Sequence, residues 1–442
     1  MDGEDAVNPY TRFQVQRSAL HEALVHIRCC YNHKYWVPRR RGDGWWLAAD
    51  ADEPEEDLSK PSCTLIELVP VVTTNEDGHA PTSVRFRHAQ LGRMGATTGS
   101  TKSTLGSCMR MGNNADDGPD NLDTAAVTVL NLSTRLLPEH VVFKSAANSK
   151  YLSARVIQRF NYLQFASDDI GDPTVQNRVV HRRDGTIRVR NAHFGMFWRR
   201  SPNWIWADAS ASADNADTRF EVVQLGDLFA LRNMGNARFC TSLTADRKDD
   251  CLNASSGTIT NLARIQVEEA VLSREIYNVV FNLGEARVYG DRTLTLFTET
   301  TTNATASEST KTIASSYTLT KTSTWDSSLE LKLGVTLTFR AGAPFIADGG
   351  IEITSEFNSS YTWGESIETT ETRQVSYNVT VPPMSKTTAR VIASEGSCDI
   401  PFSYEQRDIL TDGRVVIRKL NDGLYTGVNA FNIQTRFEEE SI

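Results

Sequence analysis

From 329 to 339 every odd position is apolar (Leu329, Leu331, Leu333, Val335, Leu337 and Phe339), while the even positions read Glu330, Lys332, Gly334, Thr336 and Thr338. Alternation with a period of two writes a β-strand that has one apolar and one polar face. A turn-forming stretch, 340–350, follows, and the pattern resumes in the same phase with Ile351, Ile353 and Phe357 against Glu352, Thr354 and Glu356. The expected element is an amphipathic hairpin with Pro344, Phe345 and Ile346 at its apolar tip. Each limb has about the 9–11 residues that a membrane-crossing strand needs. A single hairpin cannot close a barrel, because its edges would leave backbone groups unpaired in lipid. In a membrane it would therefore be one share of an oligomeric barrel. Leu329, Leu331, Leu333, Val335, Leu337, Phe339, Ile351, Ile353 and Phe357 would face lipid there, and Glu330, Lys332, Thr336, Glu352 and Glu356 would face the water-filled lumen. The same alternation also suits an ordinary half-buried antiparallel sheet, and this second reading stays open from the residues alone.

The surroundings favour a sheet that can rearrange. Over 293–328, 20 of 36 residues are Ser or Thr, and alternating strands continue through Tyr361, Trp363 and Val375 to Val381. Long polar strands with few large apolar residues make a weak core of their own. With Trp325 opening the hairpin, Trp363 closing it and the run Gly423-Leu424-Tyr425-Thr426-Gly427-Val428 near the end, the stretch 276–442 resembles an aerolysin-type β-pore-forming module.

The preceding 270 or so residues carry a repeat. Val141-Val142-Phe143, Lys150-Tyr151-Leu152 and Tyr162-Leu163-Gln164-Phe165 rhyme with Ile187-Arg188-Val189, Met196-Phe197-Trp198 and Trp204-Ile205-Trp206-Ala207. They rhyme again with Phe229-Ala230-Leu231, Arg238-Phe239-Cys240 and Cys251-Leu252-Asn253-Ala254. Aligned on Tyr151, Phe197 and Phe239, the spacings are 46 and 42 residues. Three all-β units of that size predict a β-trefoil. Upstream, Leu24-Val25-His26-Ile27-Arg28, Lys34-Tyr35-Trp36 and Trp45-Trp46-Leu47-Ala48 repeat the text once, and Val84-Arg85-Phe86-Arg87-His88 opens another unit. Two lobes are legible there instead of three. The tandem arrangement, carried by Lys34-Tyr35-Trp36, Trp45-Trp46-Leu47-Ala48, Lys150-Tyr151-Leu152 and Ser201-Pro202-Asn203-Trp204, resembles the amaranthin-like plant lectins. That resemblance implies two trefoils and a galactose or N-acetylgalactosamine-type glycan as ligand.

Sugars stack their C–H faces on aromatic rings while amides and carboxylates fix the hydroxyls. Asp43, Trp45 and Trp46 in one trefoil, and Asn203 and Trp204 in the other, sit where polar turns would present such a site. Trp36 and Trp198, at equivalent strand positions, are expected in the cores.

The formal charge of −9 gives no global drive toward nucleic acid or anionic lipid. Seven scattered cysteines match neither a zinc spacing nor a disulfide framework, which favours a reducing compartment. The acidic start, Met1-Asp2-Gly3-Glu4-Asp5, lacks the features of a signal peptide, so synthesis in the cytoplasm and action at a target membrane after release are expected. No metal-ligand spacing, nucleophile elbow or phosphate loop appears, so neither a catalytic residue nor a cofactor is assigned and no enzymatic activity is expected. The expected fold is all-β. It comprises an amaranthin-like trefoil over 1–136 that lacks its first lobe, a second trefoil over 137–273 and an elongated aerolysin-like β-sheet module over 274–442. Function follows as a glycan-binding lectin that permeabilises membranes, with plant defence implied by the resemblance. Its partners would be glycans, a membrane after oligomerisation, and itself, as a lectin dimer or a pore oligomer. A multivalent lectin whose third domain only oligomerises is the alternative.

Overall fold

The computed structural model describes residues 9–42, 44–71, 83–96, 108–112, 127–128, 137–182, 184–327, 337–355 and 357–442. Among them there is no α-helix; strands and a few short 3-10 turns account for the regular structure.

Twelve strands, from His140–Ser145 to Ile265–Glu269, close on one another. The first strand of each four-strand unit pairs with the last strand of the unit before it, and the Ile265–Glu269 strand returns to His140–Ser145 to close the ring. The second and third strands of each unit form hairpins, two of them turning through left-handed residues, Gln158 and Arg159, and Asp246 and Arg247. Apolar residues spaced two apart along these strands all point inward, so Phe143, Leu163, Val189, Ile205, Leu231 and Leu252 meet in one core. Trp198 lies at its centre, fully buried 5.2 Å from the Phe143 ring, and its indole N–H donates to Asn177 Oδ1 at 3.2 Å. This is the expected trefoil.

The N-terminal region repeats the same pairing logic. The Leu24–Cys29 strand pairs with Phe13–Arg17, Tyr35–Arg41 and Ile66–Val71, and Ser83–His88 pairs with Ile66–Val71, Arg93–Ala96 and Val127–Thr128. The nine described strands therefore hold two four-strand units and one strand over, Phe13–Arg17. Trp36 is buried in this core between the Phe13 and Phe86 rings.

The third region is a sheet of long strands. Ser385–Leu410 and Val415–Ser441 run antiparallel over nearly their whole lengths, 26 and 27 residues. At about 3.4 Å per residue that pair reaches on the order of 80 Å. Arg287–Asn303 and Val271–Phe281 pair with one side of it, Ser309–Ser327 with the other, and Ser366–Val381 forms the outer edge.

The joint with the second trefoil is ionic and dry. Arg274 donates to Glu269 Oε1 at 2.9 Å and to Asp408 Oδ1 at 2.8 Å, and the three side chains are at most 4% exposed. Removing one member of such a set strands a charge without water or partner. Arg274→Ala should lower stability by about 3–5 kcal/mol. Loss of the exposed Arg39–Asp50 pair through Arg39→Ala should change it by no more than about 1 kcal/mol. Urea midpoints followed by tryptophan fluorescence compare the two variants.

Candidate functional site

Two features gather the side chains that the sequence singles out. The first is a folded-back excursion in the long-strand module. Ser309–Ser327 and Ser366–Val381 pair without a register shift from Ser309 opposite Val381 to Thr324 opposite Ser366. The described residues between 325 and 365 thus belong to one excursion out of a Ser/Thr-rich hairpin. Its Leu337–Ala341 strand lies parallel to Val271–Phe281, with Phe339 beside Ile276, and antiparallel to Phe357–Tyr361.

The alternation survives with its apolar side turned inward. Leu337, Phe339, Ala341, Ile346 and Tyr361 are buried against Ile276, Trp325, Cys398, Ile400, Phe402, Tyr404 and Tyr425, while Thr338 and Arg340 point to solvent. Of the remaining lipid-face residues, Ile351 is half-buried and Ile353 is 43% exposed. Glu352, on the expected lumen face, is exposed. Leu329, Glu330, Leu331, Lys332, Leu333, Val335, Thr336 and Glu356 lie outside the described residues, as does the side chain of Phe357.

The expected turn over 340–350 is corrected. That stretch contains the last two residues of the Leu337–Ala341 strand and all of Pro344–Ala347, and the chain reverses at Asp348 and Gly349 into Gly350–Ile353. Pro344, Phe345 and Ile346 are therefore not a tip in this state, because their backbone finds partners in the body of the module. Tyr425 Oη donates to the Pro344 carbonyl at 2.6 Å, and the Asn429 side chain both accepts from Ile346 N–H and donates to its carbonyl, each at 2.8 Å.

The neck of the excursion is also fastened. Trp325 N–H donates to Tyr361 Oη at 2.9 Å, the Tyr361 hydroxyl lies against the Trp325 and Glu365 carbonyls, and the two rings meet edge to face at 5.5 Å. One step on, Ser327 Oγ donates to Asp422 Oδ2 at 2.6 Å and Tyr404 Oη to Oδ1 at 3.0 Å. Burial raises the Asp422 carboxyl above the usual range, even though these two hydrogen bonds pull it down. These fasteners were hidden in sequence, although Gly423 and Gly427 marked the spot. A Cβ on Gly423 would stand 2.3 Å from the Phe402 ring, and one on Gly427 would stand 2.8 Å from Tyr425.

The second feature is aromatic. Trp45 and Trp46 fall on the Gly44–Ala51 strand and not on a turn, so their rings take opposite faces. Trp45 packs against the first core, whereas Trp46 stands opposite Arg39 on one neighbouring strand and Arg110 on the other, half-buried. Asp43 lies outside the described residues.

In the second trefoil Asn203 is exposed on a hairpin turn, but Trp204 is only 8% exposed, packed against Tyr162 and Cys251 under the Lys248 ammonium. The open aromatic surface lies next door. Phe160, 47% exposed, stacks on Trp206 at 4.5 Å, and Arg199, which pairs bidentately with Asp208 at 3.0 and 2.7 Å, sits 5.7 Å from the same indole. Alternation along Trp204–Ala209 could not say which tryptophan faced out, because both point to the same side. Neighbouring strands decide it.

A trefoil built on four-strand units beside a long-strand sheet with a folded-back amphipathic excursion defines a lectin framework joined to a β-pore-forming module. The agglutinin-domain family model matches twice, over 2–132 and 135–268, more than half of the chain, and the chain belongs to that family. Over 278–404 it carries a toxin domain of the family described as Clostridium epsilon toxin ETX/Bacillus mosquitocidal toxin MTX2. Natterin-1 of Thalassophryne nattereri is 24% identical over 139 residues, a match covering 31% of this chain and 39% of natterin-1. Among solved structures, lamprey immune protein aligns with 15% identity and a TM-score of 0.33, over 70% of this chain and 92% of that one. The parasporin-2 toxin of Bacillus thuringiensis aligns with 22% identity and a TM-score of 0.23, over 38% and 73%.

Asp422 supplies a pH test of the fastener. A carboxyl whose folded pKa is raised contributes stability that is fully present below its unfolded value, about 3.9, and is lost as pH rises through the folded value. The melting temperature of the native chain minus that of Asp422→Asn should therefore decline as pH rises from about 4. A difference that is flat or grows with pH contradicts the assignment.

Proposed function

We propose that this chain captures a galactose or N-acetylgalactosamine-type glycan through its trefoils, assembles on the glycan-bearing membrane and opens the 325–365 excursion into an oligomeric β-barrel. The observation that carries the reading is the packing of the excursion. Its apolar side is buried on the module's own core, while the strands it leaves and rejoins are Ser/Thr-rich and paired with each other in unbroken register. Tethering raises the local concentration of subunits, so capture promotes assembly. On release, Leu337, Phe339, Ile351 and Ile353, with Leu329, Leu331, Leu333, Val335 and Phe357 from the sequence pattern, exchange protein contacts for lipid. Glu330, Lys332, Thr336, Glu352 and Glu356 line the lumen, and no catalytic step or cofactor is involved. A defence role at the membranes of an attacking organism fits this chemistry.

Trp46 is the ring of the first trefoil best placed for sugar, since it stands off the core between two arginines. Trp46→Ala should weaken glycan binding by about 2 kcal/mol or more without unfolding the chain, the cost of a hot-spot aromatic. Trp204→Ala should instead act through stability, because that ring is buried. Glycan-array binding read together with thermal melts separates the two.

The pore reading is tested at Glu352 and Ile353, which are exposed, so a dye on either leaves the packing intact. Single cysteines there, carrying an environment-sensitive dye, should both report water in solution. On vesicles bearing the bound glycan, position 353 should shift to a lipid spectrum while 352 stays wet, with release of entrapped dye. Binding without release and with both spectra unchanged would leave a multivalent lectin whose last domain serves assembly.

A further inference from the structure

At the seam between the second trefoil and the long-strand module lies a cleft of about 410 Å³. Arg178 and Arg190 reach it from the trefoil, Arg414 comes from the turn between the two longest strands, and Ala192, Ala270 and Val416 supply an apolar wall.

Three observations give this cleft the character of an anion site. His140 stands directly opposite Arg178, and Arg178 directly opposite Arg190, on three neighbouring strands, so a row of basic side chains shares one face of the sheet. Arg178 and Arg190 are like charges placed opposite one another, which destabilises an antiparallel pair, and a counter-anion removes that penalty. The carboxylates at hand are already engaged. Glu139 divides its two oxygens between Arg178, at 2.7 Å, and Arg418, at 3.0 Å, while Asp412 holds Arg414 at 2.6 Å. Arg190 donates its Nε–H to the Gly195 carbonyl at 2.9 Å and has no carboxylate partner among the described residues. Lastly, burial holds the His140 imidazole below its ordinary range against the pull of Glu139, and Arg418, Arg414 and Arg178 add to the lowering. All this occurs in a chain whose formal net charge is −9.

The size and the wall narrow the ligand. A water's share of volume is about 30 Å³, so a bare sulfate or phosphate would fill only a small part of the space. The apolar strip suits the C–H face of a pyranose. We propose that this seam cleft binds an acidic sugar, its sulfate or carboxylate held by Arg178, Arg190 and Arg414 and its ring laid against Ala192, Ala270 and Val416. The site is separate from the Trp46 surface and does not depend on it. Because its walls come from both modules, the ligand binds the docked arrangement better than the parted one. By mass action it then stabilises that arrangement and restrains the module.

The experiment uses the full chain, titrated at constant ionic strength with galactose 6-sulfate, N-acetylneuraminic acid, plain galactose and inorganic sulfate. Vesicles of phosphatidylcholine with phosphatidylserine form a separate arm. At least one of the two acidic sugars should bind and raise the melting temperature. Arg190→Ala and Arg414→Ala should each raise its Kd about tenfold, the value of a lost charge-assisted hydrogen bond, while Trp46→Ala leaves it unchanged. Arg190 is exposed and Arg414 lies on a turn, so melts without ligand should match the native chain and show that both variants fold. Acidic-sugar binding that both arginine variants retain, or that Trp46→Ala abolishes, overturns the site. Inorganic sulfate binding as tightly as galactose 6-sulfate overturns the sugar assignment, and binding confined to the anionic vesicles transfers the cleft to a lipid headgroup and overturns it too. No binding by any probe overturns the whole inference, and it leaves the glycan and pore readings standing on their own tests.

Discussion

The apolar face of the excursion has to be covered, and the way it is covered determines the rest of the module. Burying Leu337, Phe339 and Ile346 is worth about 1.5–3 kcal/mol for each side chain relative to leaving it in water. The same gain would be available from lipid, so on the apolar account the folded-back state and the proposed inserted state are nearly balanced. What favours the folded-back state in water is specific: the hydrogen bonds from Tyr425, Asn429, Trp325 and Ser327, and the aromatic contacts that Trp325 makes with Phe339, Tyr361 and Tyr425. Individually such bonds are worth about 1 kcal/mol net, small enough for assembly to overcome. The long Ser/Thr-rich ladder of Ser309–Ser327 with Ser366–Val381 is paired in unbroken register outside the excursion, so in the proposed pore it would serve as the stalk from which the excursion unfolds.

The lectin regions grip the module at two places and by different chemistry. The second trefoil holds it through the buried Glu269–Arg274–Asp408 set. The first holds it through Asp399, whose carboxylate accepts from His33 Nδ1 at 3.0 Å, from Arg287 at 3.0 Å and from Thr426 at 2.9 Å, while Arg287 also reaches the Asp52 carbonyl. Burial pushes the Asp399 carboxyl up, but these partners outweigh it and leave the pKa low, so the contribution is present at neutral pH and lost as pH falls through the folded value. This dependence runs opposite to that of Asp422, so acid loosens one contact of the molecule while it tightens another.

Much of this was legible in the sequence. Period-two alternation placed Leu337 and Phe339 on one face, and the repeat aligned on Tyr151, Phe197 and Phe239 gave the trefoil and put Trp36 and Trp198 in its cores. The illegible parts depend on neighbours distant in sequence. Alternation cannot say where an amphipathic strand ends, so the turn was placed over 340–350, although tertiary partners such as Asn429 hold Pro344–Ala347 extended. Nor can it rank Trp204 above or below Trp206, because cross-strand neighbours set their burial: Tyr162 and Lys248 cover Trp204, while Trp206, stacked on the exposed Phe160, is half-buried. The seam cleft needed the register that sets His140, Arg178 and Arg190 in a row.

The central claim, that the excursion must leave the sheet for the chain to permeabilise a membrane, can be tested with one cross-link. Glu275 and Thr338 are partners in the parallel pair that docks the excursion, and both are accessible. Adjacent strands lie about 4.8 Å apart, within the roughly 4.4–6.8 Å Cα range that a disulfide spans. Glu275→Cys with Thr338→Cys costs only the surface ion pair to Arg340. Release of entrapped dye from glycan-bearing vesicles should be abolished in the oxidised protein, with vesicle binding intact, and restored on reduction. Equal release from the oxidised and reduced forms would show that the excursion stays docked and would contradict the account.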